Sequence, residues 1–123
     1  MVLNRVHAAA AVIFIGAIVV QVFLAGAAIA NLGGSGDFST HIEFGYTWVG
    51  LAAAALVVTA LVARRPRREV GITAGLLVLY IVQTFLPSLK GTSPALAALH
   101  PVNAMFLFGI AGWYARRAWR TAI

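Results

Sequence analysis

Two histidines stand at matching positions in an otherwise apolar chain. His41 opens the stretch HIEFGYTWVG and His100 opens the stretch HPVNAMFLFG, and each is followed four residues later by a small residue, Gly45 or Ala104. Imidazole binds transition metals and is a usual axial ligand of haem iron. Two histidines in equivalent places therefore predict one shared metal, provided that the elements carrying them bring the two rings together.

The segments that precede the histidines also match. Residues 20–26, VQVFLAG, contain Gln21, and residues 82–88, VQTFLPS, contain Gln83. Each segment is followed by a loop with glycine and small polar residues that leads to the histidine. The pattern Q-x-F-L, loop, H-x-x-x-small thus occurs twice in the same order, which predicts two tandem helical hairpins related by an axis along the membrane normal.

The composition is that of a membrane protein. Of the 123 residues, 62% are hydrophobic and 10% are charged, which is far from the balance of a soluble domain. A spanning helix requires about 20 mainly apolar residues. The sequence predicts an all-α integral membrane four-helix bundle. A single domain covers residues 1–123, with helices at about 6–30, 41–63, 70–87 and 100–119.

Arginines mark one side of this bundle. All eight lie before the first helix, in the turn RRPRR or near the C-terminus, whereas Lys90 is alone on the other side. The positive-inside rule then predicts cytoplasmic N- and C-termini for a multi-pass protein of the plasma membrane. The expected partners of the arginines are membrane lipids. No nucleic acid is expected, because no aromatic residue interleaves the run for base stacking.

The first helix is expected to be retained rather than cleaved as a signal peptide. Ala28 and Ala30 are spaced like a signal-peptidase site. The apolar run is nevertheless longer than the roughly 7–15 residues of a usual signal core. Its removal would also invert the topology of the remaining helices.

The predicted topology places the two histidines at the same depth. Helices two and four both run inward, so His41 and His100 lie near the outer face on equivalent elements. Four-helix bundles build cofactor sites from side chains on facing helices, and two imidazoles at one level suit a six-coordinate haem b. Gly45 and Ala104 lie one turn below the histidines on the same faces, where a large side chain would collide with a porphyrin.

Other polar and aromatic residues complete the predicted cofactor-binding set. Gln21 and Gln83 are expected to form interhelical hydrogen bonds or to touch the cofactor or the second ring nitrogens of the histidines. Asn103 follows His100 by one turn and is a further candidate for the same role. Phe44 is expected to line the pocket.

Alternative interpretations stay open from the residues alone. Histidines at helix starts also occur as hydrogen-bonded interfacial residues, and small residues are common where membrane helices pack. Zinc is a weaker alternative, because two imidazoles fill only half of a tetrahedral site and Glu43 faces elsewhere. His7 lies about 20 Å of helix rise from Gln21 and cannot join the same site, so an interfacial role is expected for it.

Three motifs together resemble a known family. QVFLAG in the first helix, H-x-x-x-G from His41 and HPVNA from His100 resemble one four-helix half of haem A synthase. The chain is also similar to a group of small four-helix membrane proteins without an assigned function. The resemblance implies that His41 and His100 hold haem b near the outer face and that two copies associate as a homodimer. The synthase has a carboxylate three residues before its first histidine, whereas Phe38 stands there in this chain.

These observations predict a membrane haem b protein with bis-histidine ligation that transfers electrons or handles haem. Two strong axial ligands suit electron exchange with a redox partner or a quinone. The alternatives are a haem-modifying enzyme related to haem A synthase and a cofactor-free structural or accessory membrane subunit.

Overall fold

A computed structural model describes residues 1–34 and 36–122, and four long helices make up most of them. They are α1 (Val2–Ile29), α2 (Ser39–Val62), α3 (Arg67–Phe85) and α4 (Leu99–Ala122). The described residues contain no strand. The predicted all-α class with four long helices is confirmed, and all four helices are long and apolar enough to cross a membrane.

The helices form a closed four-membered arrangement. The first and third helices each pack against both the second and the fourth, so α1 and α3 lie on one diagonal and α2 and α4 on the other. The core between them consists of small residues with a few large ones, among which Phe14, Leu56 and Leu76 are fully buried. The many buried alanines allow the helices to approach closely, as is usual for membrane bundles.

The two ends of the bundle differ in their connections. At the terminus end, where α1 begins and α4 ends, α2 and α3 are joined by a tight turn in which Arg64 has a φ of +51°. The backbone N–H of Arg65 bonds to the carbonyl oxygen of Ala60, which is the 6→1 bond of a Schellman motif. Pro66 has an extended backbone and starts α3 at Arg67, three residues before the predicted start.

The loop end carries the two longer connections. Between α1 and α2 the backbone takes positive φ values at Gly33, Gly34 and Gly36, where side chains are disfavoured. The Ser39 hydroxyl and backbone N–H donate to Asp37, and these hydrogen bonds lower the pKa of that exposed carboxyl group. Between α3 and α4 the chain forms the 3₁₀-helix Leu86–Gly91 and the short helix Pro94–Ala97.

A buried polar cluster lies at the terminus end. The Nδ1 atom of His7 is 3.0 Å from the Thr59 hydroxyl, and its Nε2 atom is 2.7 Å from the Tyr114 hydroxyl. Because Thr59 donates to the carbonyl oxygen of Leu56, it accepts from His7 Nδ1–H, and Tyr114 then donates to His7 Nε2. The interfacial role predicted for His7 is wrong, because its side chain is 1% exposed and enclosed by three helices.

Glu69 extends this cluster to the arginines. Its side chain, on the first turn of α3, accepts a hydrogen bond from Arg65 Nε at 2.7 Å and lies 3.4 Å from Arg117 Nη2. Arg65 also donates to the Thr121 hydroxyl. One carboxylate therefore joins the α2–α3 turn to α4, and two arginines expected to contact lipid phosphates have a protein partner instead.

The Glu69 ion pair should contribute substantially to stability. Glu69→Gln keeps the shape of the side chain but leaves Arg65, whose side chain is 10% exposed, without its counter-charge. Breaking a buried pair by removing one partner costs about 3 kcal/mol or more. Thermal unfolding in detergent should show a clear loss of stability for Glu69→Gln and little change for Glu43→Gln, an exposed carboxylate on α2. Equal unfolding temperatures for the two variants would contradict this assignment.

Candidate functional site

The two histidines meet across the bundle at its loop end. His41 on α2 and His100 on α4 lie on one diagonal, and their ring centres are 6.5 Å apart with planes inclined at 78°. Gln21 on α1 and Gln83 on α3 occupy the other diagonal. Each helix thus contributes one member of this group, which we call the histidine site.

Each histidine is held by the glutamine of the preceding helix in the same way. His41 Nδ1 is 3.0 Å from the backbone carbonyl oxygen of Gln21, and His100 Nδ1 is 2.9 Å from that of Gln83. A carbonyl oxygen only accepts, so both rings carry their proton on Nδ1. The Nε2 atoms are then acceptors, and they lie 3.2 Å and 3.3 Å from the side-chain Nε2 atoms of the same glutamines.

The two glutamines differ in how their own oxygens are satisfied. Asn103 Nδ2 donates to Gln83 Oε1 at 2.8 Å and to the carbonyl oxygen of Leu79 at 3.0 Å, which fixes the Gln83 amide toward His100. Three residues after His41 the chain has Phe44 in place of an asparagine. Gln21 instead donates from Nε2 to the carbonyl oxygen of His41 at 2.8 Å. Its buried Oε1 atom has no hydrogen-bond partner among the described residues.

Gly45 is required where Gln21 approaches α2. A Cβ atom at this position would lie 2.6 Å from Gln21 Nε2, so any larger residue would push the amide away from His41. The glycine that the sequence places one turn after His41 therefore has a direct role in the hydrogen bonding of that histidine. Ala104, its counterpart in the second hairpin, lines the same cavity.

The histidine site opens into a cavity of about 850 Å³. This volume is within the range of about 300–1,000 Å³ that is usual for small-molecule and cofactor sites. The lining is mostly apolar, and its polar members include both histidines and both glutamines. Six of the seven residues predicted for cofactor binding line it, namely Gln21, His41, Gly45, Gln83, His100 and Ala104. Phe44 does not line it, because its side chain packs against the hydrophobic core.

A π-helical turn in α2, Gly45–Val49, determines which residue of the first turn of α2 lies on the core-facing side of the helix. The buried face of α2 beyond this turn is formed by Val49, Ala52, Ala53, Leu56 and Ala60. At about 100° per residue, a regular α-helix continued toward the N-terminus would put Ile42 on this face and His41 roughly 80° away from it. The extra residue of a π turn shifts the preceding residues by one position, so His41 points inward. Accordingly, Ile42 is 52% exposed.

Sequence reasoning did not predict three features of the molecule. These are the π turn, the hydroxyl of Tyr80 that contacts it, and the carboxylate of Glu69. A signal existed for Glu69, which is the one acidic residue that follows the arginine-rich turn. The π turn had no such signal, because its sequence GYTWV continues the helical pattern.

The fold and the site define a multi-pass membrane protein with a paired-histidine cavity at one end of a four-helix bundle. The chain belongs to DUF6220, a family of unknown function whose sequence model matches residues 21–89. The matched region contains Gln21, His41 and Gln83. Neither a curated protein nor a solved structure matches the chain. The resemblance to haem A synthase therefore stays a prediction.

Asn103 should be important for the second half of the histidine site. Asn103→Leu keeps the branching at Cγ but removes the donor to Gln83 Oε1, leaving a part-buried oxygen unsatisfied at a cost of about 1–3 kcal/mol. Unfolding by heat in detergent should detect this loss. Asn4→Leu, at a partly exposed position on the first turn of α1, is the control and should stay near the parent. A stable Asn103→Leu variant would show that Gln83 does not need this partner.

Proposed function

We propose that this protein binds haem b between His41 and His100 and transfers electrons across or along the membrane surface. The observation that carries the proposal is the separation of the two imidazole rings, whose centres lie 6.5 Å apart on opposite helices. A coordinating ring nitrogen lies about 2 Å from a metal, and the ring centre lies about 1 Å farther. Two imidazoles on opposite sides of one iron would thus have centres roughly 6 Å apart.

The protonation of both rings supports the same proposal. A metal-binding histidine usually donates its other ring N–H to a backbone carbonyl or a carboxylate, which fixes the tautomer and raises the basicity of the ligand atom. His41 and His100 both donate from Nδ1 to a backbone carbonyl oxygen. Their Nε2 lone pairs face the glutamine amides. These amides would have to move aside when iron is bound, and Gln21 would keep its bond to the His41 carbonyl oxygen.

The size and polarity of the cavity agree with a large, mostly apolar ligand. The residues one turn after the two histidines, Gly45 and Ala104, are small, and the remaining lining of the cavity is mostly apolar. Bound haem would supply a one-electron redox centre. The two imidazoles would occupy both axial positions, which suits electron exchange with a redox protein or a quinone better than oxygen activation.

The same arrangement weakens the alternative of a haem-modifying enzyme. Phe38 stands at the position at which haem A synthase has its carboxylate. Its ring packs edge-on against the ring of His41, with the two ring centres 5.9 Å apart. An aromatic ring there neither accepts a proton nor binds a cation through oxygen. We therefore favour electron transfer or haem handling over oxygenation of the porphyrin.

The orientation that we propose follows from the arginines. They all belong to the terminus end of the bundle, and exposed arginines at the ends of membrane helices favour the cytoplasmic side. This places both termini in the cytoplasm and the histidine site near the outer face of the plasma membrane.

The test is an absorption spectrum of detergent-purified protein supplied with haemin, oxidised and after reduction with dithionite. We expect a sharp reduced α-band of the b type in the parent protein. His41→Ala and His100→Ala should lose or greatly weaken this band, because each removes one axial ligand. For His41→Gly, added free imidazole should restore it if the ring acts as a ligand and not only as a structural element.

The third histidine of the chain provides the matched control. His7→Gln keeps hydrogen-bonding groups in the polar cluster and leaves the histidine site unchanged, so its spectrum should equal that of the parent. Size-exclusion chromatography should establish that all variants are folded. A folded parent protein that takes up no haemin would reject the haem proposal in favour of an accessory membrane subunit without this cofactor.

A further inference from the structure

The π turn of α2 receives a side chain from α3. The Tyr80 hydroxyl donates to the backbone carbonyl oxygen of Gly45 at 3.0 Å and lies 3.3 Å from that of Tyr46. In a regular α-helix the carbonyl oxygen of Tyr46 would accept from the N–H of Gly50. Here the backbone N–H of Gly50 donates to the carbonyl oxygen of Thr47 instead. A π turn leaves carbonyl groups without their usual partner, and the phenol supplies a donor to them.

Gly50 makes the approach of Tyr80 possible. A Cβ atom at position 50 would lie 2.6 Å from the Tyr80 hydroxyl oxygen and 3.2 Å from the ring carbon that bears it. Gly45 in the turn and Gly50 directly after it thus each admit a polar group from a neighbouring helix, Gly45 the amide of Gln21 and Gly50 the phenol of Tyr80. The second hairpin has no equivalent, because the described part of α4 around Ala104 is regular α-helix.

We propose that Tyr80 is a positioning residue that stabilises the π turn and thereby keeps His41, rather than Ile42, on the core-facing side of α2 opposite His100. Without the phenol, the carbonyl groups of the turn lose their donor in an apolar environment, which favours a return to the regular α-helix. That return rotates the first turn of α2 by one residue position and moves His41 away from His100. Tyr80 thus acts on the histidine site through the backbone of α2.

Labelling of an introduced cysteine tests this rotation without any cofactor. The chain has no cysteine, so Ile42→Cys provides a single thiol at a position that is 52% exposed. We expect a membrane-permeant maleimide to label it readily. Adding Tyr80→Phe should slow the labelling by up to about tenfold, because one lost hydrogen bond shifts the equilibrium toward the regular helix by about three- to tenfold and this factor is the upper limit of the change in rate. Unchanged labelling in a folded Tyr80→Phe variant would overturn the proposal.

Two further variants separate positioning from general damage. Tyr46 is 62% exposed, and its hydroxyl makes one long contact of 3.5 Å, to the carbonyl oxygen of Thr84. Tyr46→Phe removes this weak contact and leaves the Tyr80 hydroxyl in place, so labelling at position 42 should not change. Gly50→Ala should slow the labelling as Tyr80→Phe does, because the new methyl group displaces the hydroxyl. The two changes combined should have about the effect of either alone, since both break one contact. Additive effects would contradict a shared contact.

The haem spectrum gives a second measurement, which rests on the proposed function. In haem-loaded protein, Tyr80→Phe should weaken the b-type α-band and shift the midpoint potential, whereas Tyr46→Phe should do neither. A parent protein that binds no haemin would reject the haem proposal, and the labelling result would still decide the role of Tyr80. If the parent protein binds haemin and the Tyr80→Phe variant has the same spectrum and midpoint potential as the parent, the role of Tyr80 at the histidine site is rejected.

Discussion

The hydrogen bonds between each glutamine and the histidine of the next helix are the interactions on which the loop end depends. A polar side chain within an apolar bundle must find its partner in the protein, because lipid offers none. Gln21 and Gln83 meet this requirement by bonding to both ring nitrogens of a histidine, once through the backbone and once through the side chain. The consequence is a pair of imidazoles with fixed tautomers and fixed positions, which is a suitable arrangement for ligands of one metal.

The polar residues at the terminus end obey the same constraint with a different result. His7 is bonded on both ring nitrogens by hydroxyl groups, and Glu69 is paired with Arg65 and Arg117. This cluster has its hydrogen-bonding groups turned toward one another, whereas the histidine site borders a large cavity. The protein thus has a closed polar region that joins the helices at one end and an open region at the other. Of these two polar regions, the open one borders a cavity with room for a ligand.

Much of this organisation was predictable from the sequence, because it depends on local patterns. Apolar run lengths predicted four helices, and the repeated Q-x-F-L and H-x-x-x-small motifs indicated that His41 and His100 lie together. Two kinds of feature were not predictable. The burial of His7 depends on Thr59 and Tyr114, which are distant in sequence, so no local pattern indicates it. The position of Phe44 depends on the π turn, whereas the sequence argument assumed a regular helix.

The departures from the repeat show how the two halves differ in hydrogen bonding and helix geometry. In the second half, Asn103 holds the Gln83 amide, and α4 is regular. In the first half, the side-chain Oε1 atom of Gln21 is buried without a partner among the described residues, and the facing segment of α2 forms a π turn. An unsatisfied acceptor and an irregular turn both raise the free energy of this half. The internal repeat therefore positions two similar histidines, and its departures leave the surroundings of His41 less completely hydrogen-bonded than those of His100.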